Sequence, residues 1–170
     1  GRRAGAIAEE LRHRARKHYQ LLTQELESGP VRNRMISAMA LGFSNNPDAL
    51  SVLISALEDE DERVEINALT ALSQLASAQT PLSVLSERMI NHRNPKARAM
   101  ASSAMLHCIR KKAIGDNMQG TARLSLIDDE PLVRTNCALI LAELYDSDSV
   151  ESIERLLYDE IPIVRRAARG

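Results

Sequence analysis

Four histidines and two cysteines are the side chains of this sequence best suited to metal binding or nucleophilic attack. His13, His18, His92 and His107 are followed by Arg14, Tyr19, Arg93 and Cys108, so none has a carboxylate directly after it. Their scatter fits no ligand spacing for zinc or iron. His107 and Cys108 are adjacent, but neighbours on a helix point about 100° apart and do not pair as thiolate and imidazole. Cys108 and Cys137 read as small buried hydrophobes. No G-x-S-x-G elbow, phosphate-cradling glycine loop or H-E-x-x-H helix occurs, and there are only seven glycines to build one. The expectation is a chain with no catalytic residue, no cofactor and no metal.

Charge comes in blocks. Glu58 to Glu62 are consecutive acids. Residues 86–123 carry Arg88, Arg93, Lys96, Arg98, Arg110, Lys111, Lys112 and Arg123 against Glu87 and Asp116, whereas residues 128–160 are acidic apart from Arg134 and Arg155. Such blocks steer a protein partner into register. Binding of nucleic acid through the basic third block is the alternative, opposed by acidic flanks, few aromatics and a net charge of −1. Two cysteines cannot frame a secreted disulfide scaffold, which points to a reducing, cytoplasmic setting. No apolar run approaches the roughly 20 residues that cross a bilayer. Tyr19, Phe43, Tyr145 and Tyr158 are the whole aromatic set, so the core is aliphatic.

The elements that position these residues repeat. Val31, Val64, Ala97, Val133 and Val164 align at spacings of 33, 33, 36 and 31. Four residues on stand Met35, Ala68, Ala101, Cys137 and Ala168; eight on stand Met39, Leu72, Met105 and Leu141. Offsets 0, 4, 7, 8 and 11 trace one stripe of an α-helix of about four turns. A second apolar helical stretch precedes each anchor: Leu22 and Leu26; Leu53 and Leu57; Leu85, Met89 and Ile90; Leu124 and Ile127; Ile153, Leu156 and Leu157. Between the two lie breaks at Ser28-Gly29-Pro30, Asp59-Glu60-Asp61, Asn94-Pro95, Glu130-Pro131 and Ile161-Pro162, where proline opens a helix without losing an intrahelical bond. Gly115 is the expected stop after Arg110-Lys111-Lys112. Alternating β-branched runs and hairpin turns are lacking.

Val133-Arg134-Thr135-Asn136-Cys137-Ala138 and Val64-Glu65-Ile66-Asn67-Ala68-Leu69 resemble the V-R-x-x-A-A opening of the second helix in HEAT repeats, and the Asp/Asn and Pro upstream resemble the family's inter-helix turn. The resemblance covers residues 15–169, with a period nearer the short bacterial HEAT-like units, among them the phycobilin lyases, than the longer eukaryotic ones. It implies an all-α fold: an α-α superhelix, or HEAT-like solenoid, of about four and a half two-helix repeats. Residues 1–170 form one repeat domain in this reading, with residues 1–27 an N-terminal capping or linker helix and second helices starting near 31, 64, 97, 133 and 164. The array stops midway through its fifth second-helix with no polar cap, so the chain is expected to be a fragment of a longer protein.

The resemblance also implies a ladder in which the arginine after each anchor pairs with an acid of the turn. Arg32, Arg98, Arg134 and Arg165 fit as donors and Asp59, Asp128 and Asp159 as acceptors, while Glu65 breaks the series and His92 stands where an Asp is wanted. HEAT-fold deoxyhypusine hydroxylases bind iron through His-Glu dipeptides, which are absent here. The function implied is a non-catalytic protein–protein interaction scaffold with a concave helical surface; a phycobilin-lyase-like or chaperone-like tetrapyrrole protein is the enzyme-class alternative. With the stripe buried, offsets 3, 6 and 10 project onto the inner face: Arg34, Ser37 and Leu41; Asn67, Thr70 and Gln74; Met100, Ser103 and His107; Asn136, Leu139 and Glu143. A protein or peptide partner would lie along them, with Leu41, Met100 and Leu139 as apolar contacts.

Overall fold

The computed structural model describes residues 2–170, with side chains from residue 5 onward. Among the described residues the chain forms α-helices joined by short turns, with no strand. The helices are α1 (Arg2–Lys17), α2 (Tyr19–Ser28), α3 (Val31–Phe43), α4 (Ala49–Ser55), α5 (Glu62–Leu75), α6 (Leu82–Asn91), α7 (Pro95–Arg110), α8 (Met118–Leu124), α9 (Pro131–Glu143), α10 (Val150–Leu156) and α11 (Pro162–Ala167). The N-terminal stretch expected to be continuous is broken at His18, which separates α1 from α2. One compact unit ends at Ser77 and holds α1–α5; a second starts at Ala78 and holds α6–α11. The architecture is an all-α, HEAT-like helical repeat.

Local chemistry starts the second helices. Asp61, Asn94 and Glu130 cap α5, α7 and α9 by accepting the backbone N–H two residues on, and Pro95, Pro131 and Pro162 occupy first helical positions. The eleventh residues of α3, α5, α7 and α9 are Leu41, Leu72, Met105 and Leu141, all sealed from solvent. At the seventh stand the small residues Ser37, Ala68, Ala101 and Cys137, which let helix backbones approach. At Gly42 in the first unit the helices come so close that a Cβ there would stand 2.7 Å from the Ala71 Cα of α5.

The eleventh-position series corrects the register of α3. Its N-cap is Pro30, so Val31 is the first residue of the helix, whereas Val64, Ala97, Val133 and Val164 are third in theirs. Aligning the valines displaced the first repeat by two residues. Leu41, expected on the inner face, is fully buried, and Ser37 is buried beside it. A similar slip affects α8, where Met118, Ala122 and Leu126 are buried at four-residue spacing while Leu124 and Ile127 face solvent.

The register also decides the ladder. Arg32 is exposed and takes no part; the fourth residue of α3 is Arg34, as Arg98, Arg134 and Arg165 are fourth in α7, α9 and α11. Arg34 grips Asp59 with both arms of its guanidinium, Nε to Oδ2 at 2.8 Å and Nη2 to Oδ1 at 2.9 Å, and donates Nη1 to the Gly29 carbonyl. Arg98 holds Asp128 in the same way, at 2.8 and 3.0 Å, and donates to the His92 carbonyl. Arg134 holds Asp159 at 2.8 and 3.0 Å and donates to the Asp128 carbonyl. Arg165 donates to the carbonyls of Asp159 and Glu160. Each aspartate in turn accepts the backbone N–H of the next cap residue, Asp61, Glu130 or Ile161. At the third turn the His92 ring Nδ1 accepts the Asn94 N–H at 3.0 Å, so the histidine reproduces the turn bond of the missing aspartate.

These bonds set the acid response. Arg134 holds the Asp159 carboxyl below the usual carboxylate range. Burial pushes the Asp128 carboxyl up, but Arg98 and the Glu130 N–H pull it further down, and the net is lowered. The Arg63 side chain and backbone bring Asp61 to about 2.

Second helices end without the expected glycine. Lys112 is left-handed (φ 70°), and the Ala113 N–H reaches back to the Cys108 carbonyl at 3.0 Å, so α7 stops before Gly115 is reached. Asn45, Ala76 and Tyr145, at φ 50°, 45° and 51°, follow α3, α5 and α9.

Four outcomes are expected. Lys112→Gly raises the urea midpoint, by about 0.5–1 kcal/mol of stability, whereas Gly42→Ala lowers it by about 1 kcal/mol because overpacking outweighs helix propensity. Arg134→Ala lowers stability by about 2 kcal/mol and the melting temperature by about 5 °C, since Asp159 loses its partner. Unfolding followed against pH is flat above about pH 5. It then loses stability as pH falls from the unfolded carboxylate value, about 4, toward the folded Asp61 value of about 2. The unfolded chain binds the extra protons in that window, so Asp61→Asn, which keeps a capping oxygen, shallows the acid slope.

Candidate interaction face

The chemistry that the two cysteines could offer is answered by burial. Cys137 packs against the Met89 sulfur at 3.8 Å, and burial pushes its thiol up to about 12, so it is not a thiolate near neutral pH. Cys108 is equally buried. Among the described residues no three His, Cys, Asp or Glu side chains come together as a metal site.

The expected partner-facing residues divide. In the second unit, Met100, Ser103 and His107 are the sixth, ninth and thirteenth residues of α7, and Asn136, Leu139 and Glu143 hold the same places in α9. Met100, Ser103 and Leu139 are half-buried, and His107 and Glu143 are exposed. Asn136 is not available: it is buried and donates its side-chain N–H to the Ser102 hydroxyl at 2.9 Å, tying α9 to α7. The requirement is a hydroxyl at the eighth place of the preceding helix, which serine at 102 supplies. Glu143 is held by Arg110 at 2.7 Å, fixing a surface charge pair at the end of this row.

In the first unit, α5 presents Asn67, Thr70 and Gln74 at the same three places. Asn67 and Thr70 bond back to the carbonyls of Arg63 and Ile66, so their polar atoms are partly spent on their own helix. For α3 the corrected register replaces Arg34, Ser37 and Leu41 with Ile36, Met39 and Phe43. Ile36 is 56% exposed; Met39 and Phe43 are half-buried. The sequence held a signal for this choice: Arg34 precedes Asp59 by 25 residues, as Arg134 precedes Asp159.

Four cations of the second unit's basic block are matched by acids. Arg88 pairs with Glu87, Arg98 with Asp128 and Asp129, Arg110 with Glu143, and Arg123 with Asp146 and Asp148. Arg123 in turn keeps the Asp146 carboxyl below its ordinary range. Cations already bonded to carboxylates release few counterions to a phosphate backbone. No helix among the described residues is long and apolar enough to cross a membrane.

Comparison with known proteins agrees with this geometry. The model of the family described as HEAT repeats matches residues 19–106, from α2 through most of α7. No curated protein matches the chain. HEAT repeats generally mediate protein–protein interactions and are typically non-catalytic. With half of its length matched by that family model, the chain belongs to the HEAT-repeat family.

Proposed function

We propose that the chain is a non-catalytic interaction module that seats a peptide or helix of a partner protein along its second helices. In the second unit the contact residues are Met100, Ser103 and His107 of α7 with Leu139 and Glu143 of α9. In the first they are Asn67, Thr70 and Gln74 of α5 with Ile36 and Met39 of α3. The observation that carries this reading is the accessibility of Met100 and Leu139, which share helices with the sealed Met105 and Leu141 yet keep part of their apolar surface in water. A thioether and an isobutyl group flanked by hydroxyl, imidazole and a fixed Arg110–Glu143 pair suit an amphipathic segment: apolar anchors at the centre and charge at the rim.

A photo-crosslinking amino acid placed at Met100 or Leu139 is expected to give one discrete adduct in cell extract, and none when placed at Tyr158, which is exposed on α10's side of the repeat. Glutamate at both Met100 and Leu139 should abolish capture by a crosslinker at Ser103 while leaving the melting temperature within about 2 °C, as surface substitutions do. Equal labelling from Tyr158, or capture unaffected by the double substitution, would overturn the assignment.

A further inference from the structure

A trough runs along α1 in the first unit, away from α5. Its middle, a cavity of about 390 Å³, is walled by Leu11, Arg14, Ala15, Leu21, Ala40 and Phe43. Through Leu11 and Arg14 it continues past Ile7, and through His18 and Leu21 it opens to Arg16, Lys17 and Asn46. Ile7, Leu11 and Leu21 are 62%, 42% and 54% exposed, so three aliphatic side chains lie in water along one line. The distance from Ile7 to His18 is eleven residues, about 16 Å or three turns of helix. The charge along it is uneven. Arg14 is neutralised by Glu10 at 2.6 Å. At the far end Arg16 gives its Nε to the Ser44 carbonyl, and neither Arg16 nor Lys17 has an acidic partner among the described residues.

We infer that this trough is a docking site for an acidic amphipathic helix of a partner protein. The helix is about three turns long, with aliphatic residues at four- and three-residue spacing over Leu11, Leu21 and Phe43 and with Asp or Glu over Arg16 and Lys17. Charge complementarity selects the occupant: the apolar length explains why a helix is needed, and the two unpaired cations at one end select acid over base and set its direction. A membrane surface would also attract a basic, apolar helix face, but a bilayer buries a protruding ridge. Here the apolar surface is hollow, floored by Ala15, Ala40 and Phe43. The site goes beyond the second-helix row and meets it only at Phe43 of α3.

The test uses the full chain and a fluorescein-labelled 18-residue peptide with leucine at alternating three- and four-residue spacing and glutamate on both flanks. Its match carries lysine in place of glutamate. Fluorescence anisotropy should show the glutamate peptide binding at least tenfold tighter than the lysine peptide. Leu21→Asp should weaken it at least tenfold and Lys17→Glu at least threefold, with circular-dichroism melting unchanged in both, since the two side chains are exposed. Met100→Glu should leave this binding intact, so loss of the second-helix row and loss of the trough are read separately. The inference is overturned if the two peptides bind alike or not at all, or if Leu21→Asp has no effect. It is equally overturned if Leu21→Asp instead abolishes sedimentation with phosphatidylserine vesicles or dissociates a dimer of the chain seen by light scattering.

Discussion

A two-helix module of this chain cannot bury its own apolar stripe. The stripe on α5 (Val64, Ala68, Leu69, Ala71 and Leu72) or on α7 (Ala97, Ala101, Ala104, Met105 and Cys108) needs aliphatic surface on more than one side. Alanine is the means. It contributes little transfer free energy itself, but it brings backbones close enough for the leucines and methionines beside it to be sealed, each contributing about 2 kcal/mol. Gly42 against Ala71 carries the same tendency to a residue with no side chain. A core without large aromatic rings follows from the same demand, because a ring at the seventh or tenth place would force neighbouring helices apart.

The Arg–Asp grips act on a different scale. They lie in the turns, where a helix has ended and its next partner has yet to begin. Each ties three things together: a carbonyl of the preceding turn, the carboxylate of the next turn and, through that carboxylate, the following cap. Arginine suits the role because its planar fork serves two acceptors while a third N–H remains for the carbonyl. His92 shows which part of the device is separable. It keeps the turn bond to Asn94 with a ring nitrogen, so the local turn survives the loss of the carboxylate.

Many charged groups of this chain are spent on its own structure. Charged groups here are consumed in holding turns, strapping α8 to the turn before α10 through Arg123 and Asp146, and pinning Glu143 to Arg110. Apolar surface stays accessible beside them, at Ile36, Met39, Met100, Leu139 and the α1 trough. A surface of that kind binds other polypeptides through anchors and shape.

The second helices, the Asn94 cap and the two-helix period are legible in the sequence, because each rests on signals within one or two turns: a capping side chain, a proline at the first position, apolar residues at three- and four-residue spacing. Relations between helices are not. The first repeat was misaligned by two because the valine that opens α3 is first in its helix and third in the others, and only the burial of Leu41 and the Arg34–Asp59 grip show it. Asn136 looked like a contact residue until Ser102 of α7 was seen to hold it. The left-handed Lys112 replaced Gly115 as a helix stop because the Cys108 carbonyl, with no continuing turn, took the Ala113 N–H. Local periodicity determines which side chains share a face; only the neighbour that covers the face decides which of them meet water.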